Sequence, residues 1–191
     1  MAKISEKDLK DIVVMRKFGV LVDVDPQRMR QEDGVICVTC ADGDQMPDVF
    51  QQQVKFALEA GFKPRPHQLS LNGGALLIPE ESPLNKELRE DATLLAHIRG
   101  GIKLKGIRTI VLYIHAPCGA AGLAGLTFKE SIDLLIKAKD RIKKEILDVR
   151  VACFCHVDRE HGTGHKKRTY FVDEERWETL KRKGAVVTEK R

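Results

Sequence analysis

No run of about 18 apolar residues occurs in the 191-residue chain, so a membrane-spanning helix is not expected. The opening residues, MAKISEKDLKD, are charged at once and lack an apolar leader segment; a cytoplasmic protein without a membrane partner is expected. Aromatic residues are scarce, at 5%. Neither an aromatic-rich RNA-binding motif nor zinc-finger spacing is present, which argues against nucleic acid as a partner. Cysteines number only five, and the odd count speaks against a disulfide framework. Internal repeats and low-complexity stretches are also missing, which excludes solenoids and tails.

What remains is the composition of an ordinary globular domain, 42% hydrophobic and 32% charged. The length suits one domain over residues 1–191, with a core that needs no covalent staples. The net charge of +5 is concentrated after Lys137. Acidic residues are mixed in there, so that region is expected to be a solvated helix face.

Strands and helices alternate along the chain. GVICVTC (34–40) is a β-rich apolar run and reads as a buried strand. PDVFQQQVKFALEAG predicts a helix stopped near Gly61, and HQLSL a short strand opening into the turn NGGA. ESPLNKELREDATLLAHIRG predicts a helix with Leu84, Leu88, Leu95 and Ile98 near one face, closed by Gly100 and Gly101. GIRTIVLYIH (106–115) is apolar on both faces, as a central parallel strand should be. APCGAAGLAG then reads as a tight loop of small residues. Phe128, Ile132, Leu135, Ile136, Ile142 and Ile146 recur at helical spacing behind a Thr127/Glu130 capping box. VRVACFC and RTYFVD predict further strands, and EERWETLKRKG a last helix. The expected fold is α/β, a mainly parallel sheet flanked by helices. The apolar N-terminal segment DLKDIVVMRKFGVLVDV is suited either to a partner or to its own sheet.

In such sheets, sites form beyond the carboxyl ends of the strands. Cys40 ends one predicted strand, His115 ends another, and the NGG turn follows a third. His115-Ala-Pro-Cys118 sets an imidazole and a thiol three residues apart in a loop. With Cys40 the donors become two sulfurs and one nitrogen, a set that suits zinc and leaves a fourth position open. Cys37 and Cys40 also spell CxxC. Redox pairs of that kind sit at helix N-termini, whereas these lie in one strand and should face opposite ways, leaving Cys37 in the core. Cys153 and Cys155 should share one strand face as core residues. Of His156, His161 and His165, an exposed polar loop is the simplest expectation, and a proton-moving role near the cleft the alternative.

The combination Cys40-Ala41-Asp42-Gly43-Asp44, Leu71-Asn72-Gly73-Gly74 and His115-Ala116-Pro117-Cys118-Gly119 resembles the β-class carbonic anhydrases over roughly Gly34 to Asp173. That family carries Cys-x-Asp-x-Arg after its first strand and His-x-x-Cys-Gly after its third, with an Asn- and Gly-rich turn between. The resemblance implies a zinc ion on Cys40, His115 and Cys118, with Asp42 as catalytic aspartate or fourth ligand. It implies four parallel strands with an antiparallel fifth, a homodimer or larger homo-oligomer, and reversible hydration of CO2 to bicarbonate. Asn72, Gly73 and Gly74 are candidates to line the substrate pocket. One departure stands out: Asp44 occupies the place of the arginine. Without that cation Asp42 loses the partner that would hold it off the metal, which favours direct ligation. The departure keeps open a non-catalytic or regulatory zinc protein of the same fold, and pocket shape leaves open a hydrolase of COS or CS2.

Overall fold

The computed structural model describes residues 3–29, 31–85, 88–159 and 167–188. Six strands form one sheet: β1 (Leu21–Asp23), β2 (Val35–Cys40), β3 (Pro66–Leu71), β4 (Thr109–Ala116), β5 (Arg150–Asp158) and β6 (Lys167–Val172), in the order β1-β6-β5-β4-β2-β3. The four strands β3, β2, β4 and β5 run parallel, while β6 pairs antiparallel with β5, and β1 with β6. This is the expected α/β architecture. The parallel strands need crossovers, and three helices supply them: α2 (Met46–Glu59), α3 (Glu90–Lys105) and α5 (Phe128–Glu145).

Every residue of β2 and β4 is buried, which accounts for their unbroken apolar character. One sheet face carries Ile36, Val38, Ile110, Leu112, Cys153 and Cys155 under α1 (Glu6–Lys17), α3, α5 and Trp177 of α6 (Glu174–Thr188). The other carries Val35, Cys37, Val111, Tyr113 and Phe154 against Val49 and Phe56 of α2. Tyr113 stacks on Phe154 at 5.1 Å between ring centroids, and its hydroxyl donates to Gln53 Oε1 at 3.0 Å. Ile12 and Met15 are buried, so α1 covers its own sheet, while its Val13 and Val14, and Phe18 just after it, face outward.

Three local expectations change. α3 begins only at Glu90, because residues 81–85 are spent in turns such as Ser82 N–H to Pro79 O. Leu84 still packs on the core, but Leu88 is exposed. Gly100 and Gly101 lie inside α3 rather than closing it. A side chain at Gly101 would come within 3.1 Å of both His67 and Ile36, so that glycine serves close packing of helix on sheet. The helix stops at Gly106, whose φ of +70° suits a residue without Cβ. The APCGAAGLAG loop contains a short helix, α4 (Gly119–Leu123). The Thr127–Glu130 capping box is present at the start of α5 as the spacing predicts.

Candidate metal centre

β2 and β4 are neighbours and parallel, so their carboxyl ends open on the same edge of the sheet. Cys40 is the last residue of β2 and His115 the last but one of β4. A cis Ala116–Pro117 peptide follows, and Cys118 caps α4 in an extended conformation. One sulfur from each cysteine and one ring nitrogen of His115 all lie within 4.8 Å of one another. Two residues 75 or more positions down the chain thus meet Cys40, and the group is able to hold a metal ion.

His115 is 7% exposed, and neither Nδ1 nor Nε2 has a protein partner. A buried imidazole left this way is costly unless it meets an ion or water, and a metal on one nitrogen would satisfy it. The Cys40 thiol is shifted toward the thiolate, its pKa lowered chiefly by hydrogen bonding with the Cys118 thiol. Burial opposes this, while His115 and the Gly73 N–H, 3.3 Å from Cys40 Sγ, assist. Cys118 is pushed upward, since its proton is engaged by Cys40 and its surroundings are apolar. Cys37 sits on the opposite face, where burial raises its thiol; a redox pair with Cys40 has no geometry here.

Asp42 is half-buried two residues beyond Cys40 and is not one of the three clustered donors. Its Oδ1 accepts the Asp44 N–H at 2.9 Å, and its carbonyl accepts from Gln45 and Met46. Asp44 is exposed. Among the described residues, Lys167 at the start of β6 reaches this turn, donating to the Asp44 carbonyl at 3.1 Å and to Asp48 Oδ2. Asn72 is exposed at the turn after β3. Gly73 and Gly74 have φ of +91° and +53°, and a side chain at Gly74 would come within 2.4 Å of the Cys40 nitrogen. These glycines let the turn press against the end of β2 and bring the Gly73 N–H to the Cys40 sulfur.

His156 does not lie in an exposed loop. It belongs to β5, is 3% exposed, and pairs in register with His115. Burial first, and nearby His115 and Lys167 next, lower its pKa to about 4 despite Asp48 and Asp158, so it is uncharged at neutral pH. His161 and His165 lie outside the described residues. Sequence inspection overlooks Gln45, Asp158 and Lys167 here. Gln45 Nε2 donates to Asp158 Oδ2 at 3.0 Å, and Lys167 Nζ lies 3.7 Å from the same oxygen. The only available hint is that all three flank residues already of interest.

A cavity of about 340 Å³ opens among Val24, Met29, Ala152, Phe154 and Phe171. It lies toward Thr109 and Arg150, the first residues of β4 and β5, and so at the far end of the sheet from Cys40, His115 and Cys118.

No protein-family model matches the chain, and no curated protein matches it. Among solved structures it is similar to a point mutant of the β-carbonic anhydrase CafD of the filamentous fungus Aspergillus fumigatus. The identity is 12% over 81% of this chain and 99% of that one, with a TM-score of 0.43. A second CafD mutant gives 13%, 80%, 99% and 0.40. The β-carbonic anhydrase CafA of the same fungus gives 12% identity over 90% of this chain and 88% of that one, with a TM-score of 0.40. Among the described residues no helix is long and apolar enough to cross a membrane.

Proposed function

We propose that residues 1–191 form a zinc domain that hydrates CO2 reversibly to bicarbonate, acting in the cytoplasm as a homodimer or larger homo-oligomer. The observation that carries this reading is the meeting of Cys40, Cys118 and the partnerless His115 at the strand ends. Two sulfurs and one imidazole are a zinc set with room for one more ligand. Zinc in that set would supply a Lewis acid that activates water near neutral pH. The Gly73 N–H stabilises the Cys40 thiolate and aims it. Asp42, two residues on, orients water or enters as the fourth ligand. In the present arrangement its Oδ1 is occupied by the Asp44 N–H. In this reading Asn72, Gly73 and Gly74 at the neighbouring turn border the substrate.

Quantified zinc and stopped-flow CO2 hydration test the proposal together. One zinc per chain with a rate that disappears on chelation is the expected result. One zinc per chain without hydration moves the function to a non-catalytic or regulatory zinc protein. Asp44, in the place of a cation, is the feature that favours this second reading. Release of hydrogen sulfide from COS or CS2 under the same conditions would identify the hydrolase alternative.

A further inference from the structure

Among the described residues, nine buried side-chain polar atoms have no hydrogen-bond partner, and five of them sit together: both nitrogens of His115, His156 Nε2, Gln45 Oε1 and Asp158 Oδ1. They come from β4, β5 and the residue preceding α2. Gln45, His156 and Asp158 are each 3% exposed. Register and hydrogen bonding relate these residues to one another. His115 and His156 are register partners on adjacent strands. His156 Nδ1 is taken by Thr169 Oγ1 at 2.9 Å, which leaves Nε2 free. Two residues along the same strand face, Asp158 is tied to Gln45 through Oδ2, which leaves Oδ1 free. Beyond Asp158 stands Lys167, with Asp48 as its second carboxylate neighbour. The Lys167 and Asp48 side chains are 20% and 41% exposed, so the track opens to solvent there.

Buried groups of this kind are ordinarily satisfied by ordered water that makes about three hydrogen bonds to them. Hydration of CO2 has a product that such water would carry: CO2 + H2O gives bicarbonate and one proton, and that proton must leave the centre every turnover.

The geometry points to a proton exit in which water held by His156, Gln45 and Asp158 leads from the metal centre to the Lys167–Asp48 rim, with the Asp158 carboxylate as the relay. The inference rests on the hydratase reading above. Asp158 Oδ1 accepts the proton from the water beside it, and the proton passes to external buffer at the rim. His156 contributes hydrogen bonds, and Lys167 holds the outer end of the track in place.

Asp158→Asn keeps the shape and the Gln45 contact but removes the proton acceptor. In stopped-flow CO2 hydration at low buffer concentration, kcat is expected to fall about tenfold with kcat/KM unchanged, and added imidazole should restore it. Equal falls in kcat and kcat/KM, no change in either, or no rescue by imidazole would overturn the relay. Gln45→Leu removes the hydrogen bond to Asp158 Oδ2 but leaves the carboxylate in place. It should give the same buffer-dependent loss, and it replaces the first variant if that one does not fold. Independently of activity, a high-resolution crystal structure of the zinc-loaded protein should show water bonded to Asp158 Oδ1 and His156 Nε2, and a dry chamber overturns the inference. An inactive wild type holding one zinc per chain overturns the hydratase reading and the relay with it. An active wild type beside an unaffected Asp158→Asn variant overturns the relay alone.

Discussion

Substitution of Gly74 by alanine should weaken metal binding although Gly74 offers no donor atom. Its φ of +53° already costs an L-residue roughly 1 to 2 kcal/mol. The new methyl would lie 2.4 Å from both Cys40 N and Thr39 C, and 2.7 Å from Thr39 O. These are backbone atoms of β2, which cannot rotate out of the way. Restoring ordinary contact requires the turn and the strand end to part by about 1 Å, within the range where overpacking costs about 1 to 3 kcal/mol. That movement exceeds the roughly 0.2 Å within which ligand distances at a metal site are held. It also draws the Gly73 N–H away from the Cys40 sulfur. The expected result is a zinc dissociation constant raised by about tenfold to a hundredfold. Unfolding free energy of the metal-free protein should fall by about 2 to 5 kcal/mol. Competition with a chromophoric chelator gives the first quantity and urea unfolding the second. Gly43→Ala is the control, since a methyl there meets nothing within 4 Å. Wild-type zinc affinity in Gly74→Ala would refute the claim that this turn places Cys40. Lost stability with unchanged affinity would reduce Gly74 to a packing residue.

Cys40→Ser and Cys118→Ser should each lose stoichiometric zinc after dialysis. Cys37→Ser should retain it and lose about 1 to 3 kcal/mol of stability, because its hydroxyl enters the apolar face under α2; metal analysis and melting curves separate the two cases. Asp91 is 1% exposed; burial alone would raise its pKa, but Arg141 at 2.9 Å, Asn85 and the Ala92 N–H hold it at about 2. Its folded-state pKa lies below the unfolded value of about 3.9, so this stabilisation, roughly 2 kcal/mol, is present above pH 4 and fades as pH falls from about 4 to 2. Asp91→Asn should therefore be less stable than wild type at neutral pH and converge with it near pH 2 in acid titrations followed by circular dichroism. Thr127→Ala removes the hydroxyl that accepts the Glu130 N–H at 3.3 Å and should cost about 1 kcal/mol in urea unfolding.

The alternation of elements and the three residues that cluster as candidate metal donors were legible in the sequence, and the reason is local. Val35–Cys40 and Thr109–Ala116 are apolar enough to demand burial on both faces, which makes them central parallel strands. Parallel strands put their carboxyl ends on one edge, so residues closing two such runs are brought near each other by topology alone. The period of two within a strand likewise separates Cys37 from Cys40. Other features had no local signature. Gly101 looked like a helix stop because glycine favours ends, yet it lies within α3 where His67 and Ile36 press on it. Asp44 stands out in the sequence as a missing cation, but nothing near it in the chain points to Lys167, more than a hundred residues away. That contact exists because β6 turns back antiparallel on β5 and sets Lys167 opposite Asp158. His156 was expected in an exposed polar loop, with a proton-moving role as the alternative, and its burial on β5, which lowers its pKa, appears only in the fold. Sequence pattern determined which residues sit at strand ends. Strand order, register and burial, which depend on contacts far apart in the chain, decided which of them meet and which charges they hold.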